Sequence, residues 1–325
     1  MPKAIYVHKL GSPDVLRWEE QSIGDPASDQ VQIRHTAIGL NFIDTYHRTG
    51  LYPVAELPFI PGIEAAGIVE AIGTEVSEVN VGDRVVYASP PVGAYAEIRL
   101  INADRLIPIP EGIDDQIAAA LMLKGMTTQY LLRRSYPVQP GDTILIHAAA
   151  GGVGLIVCQW AAHLGATVIG TVGSDEKAKL ATSHGCHHAI LYNQEDFVER
   201  VMEITNGRGV DVVYDSIGKD TFAYSLDCLR ARGMMVSFGQ SSGPIPPFEV
   251  GELSAHGSLF LTRPTLMDYT STREELLATA EETFQVFKKG IVRITIGQQF
   301  PLQAASNAHI ALEGRKTVGS TVLIP

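Results

Sequence analysis

The rhythm of apolar and polar positions changes twice along the chain. In its first third, apolar and polar residues alternate in short runs at 4–8, 31–38 and 67–72, each bounded by Gly or Pro. Pro61-Gly62 precedes one run, and Val81-Gly82-Asp83 turns into another at 84–87; a further alternating run covers 93–100. Alternation puts every second side chain on one sheet face, so many short strands between turns predict a β-rich, barrel-like domain. From Asp114 the spacing lengthens to that of a helix over 114–123, with Asp114 placed to cap it, and a second helix is predicted over 125–134.

Strands at 143–148, 167–172, 189–191, 210–215 and 233–238 then alternate with helices at 152–164, 176–184, 196–205 and 221–229. Strand–helix alternation at this spacing predicts right-handed βαβ units in a doubly wound parallel sheet. After Pro264 the pattern changes again. One long amphipathic helix covers 273–289, and strands at 294–301 and 319–324 flank a short helix. The expected fold class is α/β. A β-rich domain covers 1–124, with 265–325 completing it, and a Rossmann domain covers 125–264.

Composition narrows the function. Of the 325 residues, 45% are hydrophobic and 19% charged, enough apolar material for a sizeable core and too much for a disordered chain. The net charge of −11 gives no general attraction to nucleic acid or anionic lipid. Cys158, Cys186 and Cys228 are too few for a disulfide framework. The N-terminal stretch has no apolar signal-peptide core. The most hydrophobic window, 143–170, is interrupted by His147, Gln159, His163 and several glycines. A cytoplasmic protein without a membrane span is expected.

The strongest motif is Ile144-Leu145-Ile146-His147-Ala148-Ala149-Ala150-Gly151-Gly152-Val153-Gly154, after a strand and opening a helix. As a dinucleotide fingerprint it puts Ala149, Gly151 and Gly154 in the three glycine places. Small residues let backbone approach a pyrophosphate, and the helix start offers N–H groups and a positive dipole end. No Gly-Lys-Ser/Thr ending follows, which disfavours a nucleotide triphosphatase. The next strand ends Thr171-Val172-Gly173-Ser174, with small residues where an NAD site carries an acid. Ser174 and Lys177 suit a 2′-phosphate, so NADPH is the expected cofactor, provided Asp175 and Glu176 do not point inward. His184, Cys186, His187 and His188 are expected to diverge around a helix-to-strand turn rather than bind metal, and His147 to be a packed strand residue. Asn41, Asp44, Tyr46 and Tyr52 form a polar, aromatic stretch; the residues alone fit a pocket or turn chemistry with ring packing equally well.

With these go Asn41-Phe42-Ile43-Asp44-Thr45-Tyr46, Gly50-Leu51-Tyr52-Pro53, Pro61-Gly62-Ile63-Glu64-Ala65-Ala66-Gly67 and Gly82-Asp83-Arg84-Val85. Nearly end to end, the chain resembles the zinc-independent quinone oxidoreductase branch of the medium-chain dehydrogenase/reductase superfamily. The resemblance implies a GroES-like catalytic domain beside the Rossmann domain. Asn41 and Ile63 stand where the zinc enzymes carry a Cys and a His ligand, and no Cys precedes Cys158 to build a structural zinc lobe. It further implies a pocket at Asn41, Asp44, Tyr46 and Tyr52, with the Tyr hydroxyls and the Asn amide hydrogen-bonding a carbonyl oxygen as charge develops there. Cofactor contacts are implied at Thr127, Tyr130, Gly152, Val153, Tyr192, Ile217, Phe238, Gly239, Ser241, Arg263 and Arg315. The activity implied is metal-free hydride transfer from NADPH to a small-molecule quinone by a homodimer paired at a sheet edge near 233–238 and 259–262. The alternatives are an alkenal, enone or enoyl-thioester reductase, and a cofactor-binding protein with a structural or RNA-binding role.

Overall fold

A computed structural model describes residues 1–325. The chain forms two compact units: Met1–Lys124 with Ser271–Phe284 and Ile294–Pro325, and Gly125–Thr270 with Gln285–Arg293. No helix is long and apolar enough to cross a membrane.

In the first unit, β1 (Lys3–Val7) and β2 (Leu16–Glu20) form an antiparallel pair. The long β3 (Gln30–Leu40) leads into α1 (Phe42–Thr49), and β4 (Glu64–Ile72) returns antiparallel along β3. Next come β5 (Arg84–Ala88), β6 (Ile98–Asn102), β7 (Ile107–Pro108) and α2 (Asp115–Tyr130), whose residues from Gly125 on belong to the second unit. Alternation along β3 buries Val31, Ile33, Ile38 and Leu40 against Val69, Val85, Tyr87 and Tyr95.

Several elements differ from expectation; β2 and α1 lie in stretches for which no element is predicted. The run at 93–100 is a strand only from Ile98, because its first residues bond elsewhere. The N–H groups of Gly93 and Ala94 go to the Gly62 carbonyl and that of Tyr95 goes to Pro61. The helices expected at 114–123 and 125–134 are one, continued by a π-helical turn at Leu131–Ser135. Gly125 is buried within it; an internal Gly weakens a helix by roughly 1 kcal/mol without breaking its hydrogen-bond ladder. Asp114 does cap it, accepting the Gln116 N–H at 2.8 Å.

The second unit runs β8 (Thr143–Ile146), α3 (Gly152–His163), β9 (Thr167–Val172), α4 (Asp175–Ser183), β10 (His188–Leu191) and α5 (Phe197–Ile204). It continues with β11 (Val210–Asp215), α6 (Phe222–Asp227), β12 (Leu229–Ser237), α7 (Gly251–Ala255), β13 (Phe260–Thr262) and α8 (Leu266–Tyr269). All six strands are parallel, in the order β10-β9-β8-β11-β12-β13. Chain order reverses between β8 and β11. The crevice beyond their carboxyl ends is where a doubly wound sheet takes a nucleotide.

The chain then runs through α9 (Arg273–Lys288) to β14 (Ile296–Pro301), α10 (Ala305–Glu313) and β15 (Ser320–Ile324). β15 lies parallel to β14 and antiparallel to β3, with Val322 opposite Gly39. The first unit's sheet therefore takes strands from both ends of the chain.

Candidate active site

In the second unit, the turn after β8 brings backbone to the sheet's reversal point. Ala148 adopts a left-handed backbone, with φ of 55°. The tight-turn conformation thus falls on Ala148, not on Ala149, which is fully buried and donates its N–H to the Thr171 carbonyl at 3.0 Å. Gly151 caps α3. A Cβ on Gly154 would lie 2.3 Å from the Ala148 carbonyl oxygen, so only glycine lets α3 come this close to the turn. A Cβ on Gly151 would meet nothing nearer than 3.2 Å. No acidic side chain occupies the first turn of α3, and the N–H groups of Gly152, Val153 and Gly154 have no earlier carbonyl of the helix to bond. A turn and helix start of this kind can accept a pyrophosphate. His147 is buried, with its ring nitrogens 2.9 Å from the Thr171 and Ser225 hydroxyls. It is packed, as expected, but lies in the turn just past the end of β8 rather than in the strand.

One strand over, Gly173 follows β9 and Ser174 caps α4. The Ser174 Oγ accepts the Lys177 N–H at 3.3 Å, and Glu176 is held below the usual carboxylate range by its own backbone N–H and by a hydrogen bond from the Ser174 hydroxyl. A Cβ on Gly173 would sit 2.7 Å from the Tyr192 hydroxyl, so the glycine makes room for a ring that is 43% exposed. Asp175 and Glu176 are both exposed. Past the carboxyl ends of β11 and β12, Asp215 joins the remaining contacts. Its carboxylate accepts N–H from Ile217 at 2.7 Å and Gly218 at 3.0 Å, and the Thr221 hydroxyl at 2.8 Å. Its carbonyl accepts from Phe238 and Gly239, while the Ser241 N–H reaches the Ser216 carbonyl at 3.1 Å. Arg263 donates to the Ser237 carbonyl at 2.8 Å.

Ile217, Phe238, Gly239, Ser241 and Arg263 are therefore brought together. Tyr130 is buried and stacked on Tyr269, centroids 4.6 Å apart, and Thr127 is half-buried on α2. Arg315 is exposed in the first unit, at φ of 56°. The His184–His188 stretch diverges. His184 Nδ1 lies 2.8 Å from the Leu180 carbonyl oxygen, Cys186 is buried, and His187 Nδ1 accepts the Val168 N–H.

In the first unit, Asn41 and Asp44 form a capping box at the start of α1, and Asp44 accepts the Asn41 N–H at 2.9 Å. The Asn41 amide donates to Glu64 Oε2 at 2.7 Å and more weakly to the Gly39 carbonyl at 3.4 Å. Fully buried Glu64 also accepts the Leu123 N–H at 2.5 Å and lies 3.3 Å from Lys124 Nζ. The expectation that the Asn41 amide donates to a substrate carbonyl is thus corrected, because its hydrogens are directed to Glu64 and Gly39. Tyr46 and Tyr52 pack with centroids 5.1 Å apart, and the Tyr52 N–H bonds the Tyr46 carbonyl at 3.1 Å. Ile63, in the former His-ligand place, is buried, and no group of three His, Cys, Asp or Glu side chains in the chain could hold a metal ion.

A second buried chain was not foreseen. Tyr95 Oη donates to Asp44 Oδ2 at 3.0 Å and lies 3.0 Å from His309 Nε2, while His309 Nδ1 lies 2.8 Å from Arg48 Nη1. Arg48, 1% exposed, also pairs with Glu313 at 2.5 Å. Asp44 Oδ1 has no hydrogen-bond partner. Burial raises the Asp44 carboxyl to about 7. Burial and the neighbouring Arg48 cation hold His309 down to about 3. Only Glu64 carried a signal, through its place in the Pro61–Gly67 motif. Tyr95 lies in a run read only as a strand, His309 in a stretch read only as a short helix, and Arg48 outside the quoted motifs.

The chain matches two family models: an alcohol dehydrogenase GroES-like domain over 27–111 and a zinc-binding dehydrogenase over 152–282. It is 52% identical to a quinone oxidoreductase of Pseudomonas aeruginosa, over the full length of both. It is 51% identical to a 2-haloacrylate reductase of a Burkholderia species, covering all of this chain and 99% of that one. A crystal structure of Escherichia coli quinone oxidoreductase complexed with NADPH superposes with a TM-score of 0.98 at 49% identity, covering 99% of this chain and all of that one.

The two perturbed groups predict opposite pH effects on stability. Asp44, raised in the folded state, contributes stability that is full below about pH 4 and is lost as pH rises through about 7. His309, depressed when folded, contributes stability that is full above about pH 6.5 and is lost as pH falls towards about 3. Against Asp44→Asn, the parent protein should lose stability between these limits as pH rises. Against His309→Gln it should lose stability as pH falls. Urea denaturation of the three proteins across this range checks both signs, and pH-independent differences would refute them.

Proposed function

The chain belongs to the quinone oxidoreductase family of the medium-chain dehydrogenases/reductases, and from this we propose that it reduces quinones with NADPH and without a metal ion. The observation carrying the cofactor side is the Gly151–Gly154 turn followed by the Gly173-Ser174 corner, where small residues stand at the end of β9 in place of an acid. We assign the second unit to NADPH and the first to the hydride acceptor.

NADPH, when bound, supplies the hydride. The first turn of α3 would hold its pyrophosphate, and Ser174 and Lys177 its 2′-phosphate, with Tyr192 beside them. The stitched loops at Ile217 and Phe238–Ser241, with Arg263 behind them, would frame the rest of the cofactor. On the acceptor side, the Tyr46 and Tyr52 hydroxyls would donate to the quinone oxygen as it gains charge. Asn41 and Asp44 would act one step back, by fixing the start of the helix that carries Tyr46. An Asn and an Ile at the former ligand places offer no thiolate and no imidazole for zinc. A quinone is already activated toward hydride, so orientation and exclusion of water suffice.

A second reading is kept because of the 2-haloacrylate reductase relative, whose name describes reduction of an activated alkene. An alkene acceptor needs a proton at carbon, which would make one tyrosine indispensable. A quinone takes its protons from water. We also propose a homodimer. β13 ends the second unit's sheet and exposes 58% of Phe260, an edge that a second copy would cover.

Three outcomes follow. Lys177→Ala should weaken NADPH binding about ten- to a hundredfold, the worth of one charge-assisted contact, and spare NADH; calorimetry with both cofactors checks this. Tyr46→Phe and Tyr52→Phe should each lower quinone turnover by about ten- to a hundredfold in folded protein, since each removes one orienting contact worth roughly 1–3 kcal/mol, and Asn41→Ala should lower it as well by loosening the start of the helix that carries Tyr46. Abolished alkene turnover in one tyrosine variant would favour the second reading instead. Light scattering at micromolar concentration should give the mass of a dimer, and a monomer mass would rule the dimer out.

A further inference from the structure

We propose that His309 is a positioning residue for quinone reduction, the imidazole that locks the tyrosine-bearing helix α1 to α10 in one hydrogen-bonded register. The inference rests on the assignment of Tyr46 and Tyr52 to the acceptor.

Asp44 and Arg48 are four residues apart and so share one face of α1. Both are buried, and both lead to His309 from different sides: Arg48 directly at 2.8 Å, Asp44 through the Tyr95 hydroxyl in two steps of 3.0 Å. The direction of the chain is fixed by what each group can give. A guanidinium only donates, so His309 Nδ1 must accept from Arg48 and the ring proton sits on Nε2. Nε2–H then donates to Tyr95 Oη, and the Tyr95 proton is left for Asp44 Oδ2. Asp44 also accepts the Asn41 N–H, so the chain ends on the first residue of the helix start.

The tyrosines ride on this element. Tyr46 lies between Asp44 and Arg48 in α1. The Tyr52 ring packs on Tyr46, and its N–H bonds the Tyr46 carbonyl beyond the left-handed turn at Gly50. Arg48 also holds the Gly11 carbonyl at 3.0 Å and the Glu313 carboxylate, so its end of α1 has other anchors. The Asp44 end reaches α10 through Tyr95 and His309. The His309 ring is edge-on to Tyr95, centroids 5.7 Å apart, so a phenyl ring fits the same space without the two nitrogens.

The test compares His309→Phe, which keeps ring volume and removes both nitrogens, with His309→Gln, whose amide can accept from Arg48 and donate to Tyr95. His309→Phe should lower kcat with a quinone by about tenfold, with NADPH affinity by calorimetry unchanged. His309→Gln should recover most of the rate. The loss in His309→Phe/Tyr52→Phe should fall short of the product of the single losses, because both act through one element. If His309→Phe fails to fold, Tyr95→Phe cuts the same chain one link on and is read the same way. A folded His309→Phe at full rate, a glutamine variant no better than phenylalanine, or losses that multiply would each overturn the proposal. Full rates in Tyr46→Phe and Tyr52→Phe would instead overturn the tyrosine assignment, and the lock with it.

Discussion

The first unit is organised around a carboxylate with no access to water. Glu64 starts β4 and receives the Asn41 amide, the Leu123 N–H and the Lys124 ammonium, so a strand, the start of α1 and the middle of α2 converge on two oxygen atoms. Removing one partner of such a buried ion pair typically costs about 3–5 kcal/mol, because the other charge is left stranded. The demand reaches into the neighbouring strand. Gly39 has no side chain because a Cβ there would lie 2.1 Å from Glu64 Oε2 and 2.5 Å from the Ala119 carbonyl oxygen. Asn41, Glu64 and Lys124 are thereby tied together in the interior.

The second unit follows a different logic. Its candidate contacts sit where strands of a parallel sheet end, so neighbouring strands bring the segments after β8, β9, β11 and β12 side by side although the chain visits them far apart. Close backbone approach at Gly154, Gly173 and Gly239 does the rest. A Cβ on Gly239, for example, would lie 2.7 Å from the Ser216 carbonyl oxygen.

That difference explains what could be read from the chain. The strands and helices of the second unit were legible because apolar runs recur between turn residues at a regular spacing, although β9 and β11 are buried on both faces, and the glycine turn because its spacing encodes its geometry. Helix α1 was not, because eight residues, Phe42–Thr49, mix buried Asp, Thr, Tyr and Arg without a clean apolar stripe. The segment from Gly93 to Glu97 alternates like a strand yet bonds partly to the Pro61-Gly62 loop, which no local pattern reveals. The Asn41–Tyr52 stretch was visible as a cluster. Its supports were not, since 261 positions separate Arg48 from His309 and 51 separate Tyr95 from Asp44. Only the fold makes such residues neighbours.

The placement of β15 beside β3 has a consequence for biosynthesis. Residues 321–323 pair with residues 38–40, and the same C-terminal stretch supplies α10 and its His309. A chain still emerging from the ribosome has every strand of the second unit's sheet before it has the last strand of the first. The second unit can therefore close first, while β3 waits with one edge unpaired and open to the wrong partners. The first unit to be synthesised is the last to be finished, and the sheet that leads into α1 gains its β15 neighbour only after residues 320–324 have been made.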